Sequence, residues 1–203
     1  AAQGSDPSGA ESALGGAPVG PGEASYELRE ILGAGGMGVV YRAQQTSLQR
    51  DVALKKVLSK RSGERWQRKF VGEAHVTGQL AHPNIVPVYD LGAGSDGEAV
   101  LAMKLVDGIT WKRLLGPRTD AEQELAETYA LEGHLRIFDQ VCNAVSFAHS
   151  RQLAHLDLKP ENVLIGEFGE VLVMDWGLAV SFSNDPQGDD SRIPHKSDLV
   201  APC

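Results

Sequence analysis

Large apolar side chains are almost absent from the first twenty-five residues, and regular hydrophobic patterning begins at Tyr26. Residues 26–32 alternate as a strand does, Gly33-Ala34-Gly35-Gly36-Met37-Gly38 interrupts the alternation, and residues 39–43 resume it. A glycine-rich turn between two such runs predicts a hairpin. Residues 51–58 predict a third strand, with Val52, Leu54 and Lys56 on one face and Ala53, Lys55 and Val57 on the other. From 64 to 80 the spacing turns helical: Phe70, Ala74 and Thr77 or Gly78 form a stripe, Trp66 sits a turn earlier and Glu73 flanks it. Ala81-His82-Pro83-Asn84 stops that helix. Residues 85–91 and 99–103 then predict two strands around a Gly-rich turn, which makes five strands and one helix, mostly antiparallel.

After Asp107-Gly108 the composition becomes helical. Residues 110–115 predict a short helix, 116–120 a loop, and 121–133 a polar stretch with no decisive periodicity. Residues 135–150 predict a strong helix with two apolar sides. Leu135, Phe138, Cys142, Val145 and His149 line one side, and Ile137, Val141, Ala144 and Ala148 the other, so the helix calls for partners on both. Residues 181–198 read as a polar loop with little intrinsic structure, and residues 1–25, rich in Ala, Gly, Ser and Pro, as a disordered leader.

The bulk numbers narrow the function. A chain of 203 residues is one domain or a little more. Its net charge of −8 excludes a basic nucleic-acid groove as the main purpose. Two distant cysteines, Cys142 and Cys203, suggest neither a disulfide framework nor a zinc site. No run approaches the roughly 20 apolar residues of a membrane helix, and no signal peptide is expected.

The chemistry concentrates in His155-Leu156-Asp157-Leu158-Lys159-Pro160-Glu161-Asn162, followed by Val163-Leu164-Ile165 and then Met174-Asp175-Trp176-Gly177. Apolar residues on either side of the loop pin it in a core. An oxygen-rich loop so anchored suits phosphate and magnesium, because Mg²⁺ takes a few carboxylate or amide oxygens together with substrate phosphates. The glycine turn adds backbone N–H groups that an anion can approach. A strand rather than a helix follows that turn, which argues against a Rossmann fingerprint, and no GxxxxGK[ST] is present.

Taken together these pieces resemble the bacterial, eukaryotic-like serine/threonine protein kinases. In the family's order come the glycine loop, Val52-Ala53-Leu54-Lys55, Glu73, His155-Leu156-Asp157, Asn162 and Asp175-Trp176-Gly177. The resemblance implies an α+β, two-lobe protein-kinase-like fold. Residues 26–106 would be an N-lobe and hinge, with five antiparallel strands and one helix, and residues 107–203 the first part of a mainly helical C-lobe. It implies ATP and Mg²⁺ as cofactors, proteins bearing Ser or Thr as substrates, and a cytoplasmic setting. Gly33, Gly35 and Gly38 would cover the phosphates. Leu32, Val40, Ala53 and Leu164 would sandwich adenine, with Met103 as gatekeeper and the backbone of Lys104 and Val106 as hinge. Lys55, held by Glu73, would bind the α/β-phosphates. Asp157 would be the base, Lys159 the γ-phosphate clamp, and Asn162 and Asp175 the metal ligands.

Leu156 stands where the family usually has Arg, which implies activity independent of a phosphorylated loop at this position. Ser181, Ser183, Ser191 and Ser197 are expected to be solvated loop serines. The family's later helices do not follow, so a truncated, marginally stable and association-prone domain is expected, one face of helix 135–150 being left wet. The rival expectation is a non-catalytic, nucleotide-binding pseudokinase.

Overall fold

The computed structural model describes residues 26–35, 38–57, 64–94, 98–183 and 193–196. The leader at 1–25, Gly36, Met37, the side chain of Trp66, Ser191 and Ser197 lie outside them. Strands β1 (Tyr26–Gly35), β2 (Gly38–Gln45), β3 (Arg50–Lys56), β4 (Val88–Ala93) and β5 (Ala99–Lys104) form one sheet in the order β1-β2-β3-β5-β4, every pair antiparallel. Helix α1 (Glu64–Gln79) packs on it.

Register gives the sheet two distinct faces, because directly paired residues point the same way. Val52 and Leu54 join Tyr26, Ala43, Val100 and Ala102 in one buried cluster. On the other face Val57 and Leu101 bury against Phe70 and Ala74 of α1. Val40 pairs with Lys55, Arg42 with Ala53, and Ala53 with Met103, so these five share the α1 side of the sheet. The alternation expected for β3 is the one found. The fourth strand starts later than expected, at Val88, and Ile85 makes only an isolated bridge to Val173. Pro87 between them has no N–H to donate; its carbonyl instead accepts the Lys104 N–H at 2.9 Å.

The second half holds β6 (Gly108–Thr110), α2 (Trp111–Leu115), α3 (Asp120–Glu127), α4 (Leu131–Ser150), β7 (Leu153–Ala154), β8 (Val163–Gly166), β9 (Val171–Val173) and β10 (Val180–Ser181). Strands β6, β8 and β9 form a small antiparallel sheet, and β10 pairs with β7. Helix α3 falls in the stretch without decisive periodicity. Thr119 caps it, its hydroxyl accepting the Glu122 N–H, while the Glu122 carboxylate accepts the Arg118 N–H and binds Arg113. A Thr-x-x-Glu capping box therefore starts a helix that hydrophobic period alone could not announce.

Three expectations are corrected. Asp107-Gly108 does not end strand structure, since β6 begins at Gly108 and pairs with β8. Residues 181–198 are not wholly irregular: Ser181 lies in β10, donates its N–H to Pro194 and bridges His195. Ser181 and Ser183 are buried rather than solvated, because that pairing folds them under the chain.

One large core unites α1's end, α2, α4 and the hairpin, and includes Val76, Leu80, Ile85, Leu114, Leu153, Val163, Val173 and Trp176. Helix α4 gives it Ile137, Val141, Ala144 and Ala148. The other side of α4 is only partly covered among the described residues: Val145 packs on the core and His149 meets Phe182 edge-on, while Leu135 and Phe138 are 56% and 55% exposed.

Candidate active site

Lys55 is the next-to-last residue of β3 and shares with Ala53 and Val57 the face toward α1. Its ammonium donates to both carboxylate oxygens of Glu73, at 2.6 and 2.8 Å. Glu73 is reached because it lies one position from the Phe70–Ala74 stripe that seats α1 on the sheet. Burial pushes the Glu73 carboxyl up from its ordinary range, Lys55 pulls it back, and the Asp175 charge adds to the upward push. The attraction at 2.6 Å is the reason this carboxylate can be buried at all.

The loop side is built on the β8–β9 hairpin. A single 3₁₀ turn, Pro160–Asn162, delivers Asn162 to the hairpin's first strand. Met174, just past β9, donates its N–H to the Asn162 carbonyl at 2.9 Å, which ties the residue before Asp175 to the loop. The Asn162 side-chain amide donates to the Asp157 carbonyl at 2.9 Å and to its carboxylate at 3.1 Å. Lys159 donates to the same carboxylate at 2.7 Å. Lys159 and Asn162 hold the Asp157 carboxyl below its ordinary range, and Asp157 raises Lys159 in turn.

Beneath them lies His155, buried and 4.5 Å from the Trp176 ring. Its Nδ1 accepts the Asp157 N–H at 3.2 Å, which requires that Nδ1 carry no hydrogen. Its Nε2 then donates to the Met174 carbonyl at 3.1 Å. One neutral imidazole thus braces the loop against the segment leading to Asp175. Burial holds the His155 pKa below its ordinary value. Leu156 and Asp175 both adopt left-handed backbone, φ +59° and +62°. Asp tolerates this region; for Leu it is strained, by roughly 1–3 kcal/mol.

The two sides meet at Asp175, whose Oδ1 lies 3.9 Å from the Lys55 ammonium. A Cβ on Gly177 would lie 3.2 Å from Glu73 Oε2, so the turn after Asp175 runs directly past the ion pair. Lys55, Glu73 and Asp175 therefore come together, as do Asp157, Lys159 and Asn162. Around them Gly33 pairs with Val40 and Gly35 with Gly38. A Cβ at Gly33 or Gly35 would meet open space, whereas one at Gly38 would lie 2.2 Å from the Lys56 carbonyl oxygen. Ala53 is buried, Val40, Met103, Val106 and Leu164 are half-buried, and Leu32 is exposed. The Lys104 N–H is spent on Pro87, which leaves its carbonyl as the one backbone group of Lys104 a ligand could use.

The site has room for a divalent cation in one respect that can be checked. Asp175 Oδ1 is buried without a hydrogen-bond partner among the described residues, and an orphaned carboxylate oxygen of this kind calls for an explanation. The Asn162 amide nitrogen is committed to Asp157, so its oxygen is the atom left to meet a cation. Two such donors suit Mg²⁺, which keeps its remaining positions for phosphates and water.

Residues 26–201 match the family described as protein kinase domain. The chain belongs to the protein kinase family. Its relatives place it in the bacterial, eukaryotic-like branch. It is 44% identical over 160 residues to the serine/threonine-protein kinase PknD of Chlamydia trachomatis serovar L2b, an alignment covering 76% of this chain. It is 38% identical over 168 residues, or 80% of this chain, to PknD of Protochlamydia amoebophila. With PknD of Chlamydia caviae it shares 38% over 176 residues, or 83% of this chain. The alignments span 17% of the first two relatives and 19% of the third. No helix among the described residues of this kinase domain is long and apolar enough to cross a membrane.

Two residues of this domain, His155 and Arg42, have positions that their sequence neighbourhoods do not announce. His155 was named only as a motif letter; a histidine between Ala154 and Leu156, two residues before a carboxylate, is the available signal that it braces the loop from within.

Proposed function

We propose that this domain transfers the γ-phosphate of ATP to serine or threonine hydroxyls of proteins. The observation that carries the reading is the convergence on Asp175 of the buried Lys55–Glu73 pair from the sheet and the Asp157–Lys159–Asn162 network from the loop.

Val40, Ala53 and Leu164, with Met103 behind them and the carbonyl of Lys104 and backbone of Val106 at the edge, form the adenine slot; Leu32 closes it from the exposed strand end. Gly33 and Gly35 leave open space where phosphates would lie, and Gly38 lets β2 pass close to Lys56. Lys55 binds the α/β-phosphates while Glu73 keeps its ammonium in place. Asn162 and Asp175 hold Mg²⁺, which supplies charge neutralisation at the phosphates when bound. Asp157 accepts a hydrogen bond from the incoming hydroxyl and orients it. Lys159, released from Asp157, meets the transferring phosphate. Such transfer passes through a loose transition state, so positioning and charge matter more than a strong base. A carboxyl held ionised by two donors is adequate for that role.

Leu156 carries no charge with which to gather a phosphorylated loop, so activity is independent of loop phosphorylation through this residue. The test is incorporation of labelled phosphate from Mg·ATP into a serine/threonine substrate. Asp157→Asn is expected to lower the rate by about 10²–10⁴-fold while nucleotide still binds. Equal labelling by the two proteins would remove Asp157 from the reaction. Nucleotide binding with no transfer by the unaltered protein would leave a pseudokinase instead, and loss of activity after phosphatase treatment would overturn the reading of Leu156.

A further inference from the structure

Arg42, on β2, lies beside three carboxylates. Its Nη2 lies 2.5 Å from Asp107 Oδ1, its Nε 2.8 Å from Glu30 Oε1, and its Nη1 3.5 Å from Asp51 Oδ2. The three carboxylates come from three places: β1, β3 and the linker that joins β5 to β6. Glu30 and Asp51 belong to the same sheet as Arg42, but Asp107 does not. The Asp107 carbonyl also accepts the Glu167 N–H at 3.1 Å, so the linker is anchored to the turn of the β8–β9 hairpin. Arg42 lies two residues along β2 from Val40, and its register partner is Ala53. It therefore shares a sheet face with the proposed adenine slot and stands at its open edge.

We infer that Arg42 and Asp107 form a clasp across the mouth of the nucleotide site, fixing the glycine-bearing β1–β2 pair against the linker and hairpin, and so setting nucleotide affinity. The inference rests on the nucleotide reading given above. Both residues act as positioning residues; neither touches the reacting atoms. Only a guanidinium can serve the arrangement, since its planar fork presents donors in several directions where a lysine offers one point charge. Removing Arg42 also leaves three carboxylates converging without a cation, which repels the linker from the sheet. The Arg42 side chain is 25% exposed and that of Asp107 56%. Solvent screens such a pair, and the expected effect is accordingly modest.

The test is a double-mutant cycle on the 203-residue chain, using Arg42→Ala, Asp107→Asn and the two combined. Binding of Mg·ATP is measured by calorimetry, and KM for ATP and kcat by phosphate transfer. Asp107→Asn is expected to raise the nucleotide Kd and KM by about two- to fivefold with kcat changed less than twofold. Arg42→Ala is expected to do more, and the double variant no more than Arg42→Ala alone. Glu30→Gln, which loosens Arg42 within the sheet only, should leave KM unchanged and serves as the control for a merely structural role. Additive effects, or an unchanged KM in Asp107→Asn at unchanged melting temperature, would overturn the clasp. Failure of the unaltered protein to bind Mg·ATP would instead defeat the nucleotide reading and the clasp with it, a result visible without any variant.

Discussion

Two charged pairs face each other across the site, and they are built on opposite plans. Lys55 and Glu73 have side chains only 12% and 7% exposed. Lys159, at 44%, stands in solvent, and Asp157, at 27%, is half-buried but reached by water. The sheet-side pair joins a strand to a helix from the inside, so neither partner can leave without stranding a charge in a low-dielectric setting. It fixes where α1 sits. The loop-side pair holds a carboxylate ready but can be exchanged at little cost, since water replaces whatever is withdrawn. In the transfer proposed above, the difference would divide the labour: a rigid cation on one wall and a cation free to change partners on the other.

The sharpest way to break this contrast is to remove each lysine. Lys55→Met buries the Glu73 carboxylate unpaired and is expected to cost about 3–5 kcal/mol of stability, read as a lower urea midpoint at unchanged slope. Adding Glu73→Leu should restore most of that loss, because an apolar pair of similar volume replaces the ionic one. Lys159→Met, with its ammonium in solvent, should leave the midpoint where it was. Equal midpoints for Lys55→Met and Lys159→Met would erase the distinction. The same contrast recurs in the glycine turn at smaller scale. Gly38→Ala places a methyl 2.2 Å from the Lys56 carbonyl oxygen, and overpacking of this kind costs about 1–3 kcal/mol. Gly33→Ala and Gly35→Ala meet nothing within 4 Å, and should keep full stability while altering nucleotide affinity. A destabilised Gly33→Ala would mean the turn is held by more than its pairing with Val40.

What could be read from the sequence follows the range of the forces involved. Strand alternation placed Ala53, Lys55 and Val57 on one face because period two is a backbone property. The two sides of α4 were legible from its helical period, but not which of them would leave Leu135 and Phe138 exposed. Glu73 could be put beside the helix stripe, yet whether it met Lys55 or water depended on how α1 docks, and only the fold decides that. Helix α3 escaped hydrophobic periodicity, and its Thr119-x-x-Glu122 cap was the signal to read instead. Strands β7 and β10 could not be seen at all. Each has two residues, too few for any period, and each exists only because the other is present. The burial of Ser181 and Ser183 follows from that pairing and was illegible with it. The clasp at Arg42 gathers carboxylates from distant segments, which no local pattern announces.

The loop-side pair is exposed, but its brace is not, and pH separates the two. His155 uses both ring nitrogens as a neutral imidazole: one accepts from the backbone of Asp157 and the other donates to Met174. Burial depresses its folded-state pKa below the ordinary 6.5. In the unfolded chain the ring takes up its proton near pH 6.5, whereas in the folded protein it does so only at lower pH. Between those values the unfolded state binds more protons, so stability falls as pH drops below about 6.5 and gains nothing from His155 above it. Asp157, whose pKa is lowered from 3.8 by Lys159, contributes in the same direction but only in the far more acidic window below that value. Urea midpoints taken between pH 7.5 and 5 should therefore decline through this range in the unaltered protein and flatten in His155→Gln, with Asp157→Asn retaining the slope. An equally steep decline in His155→Gln would place the titrating group elsewhere and leave the loop without its neutral brace.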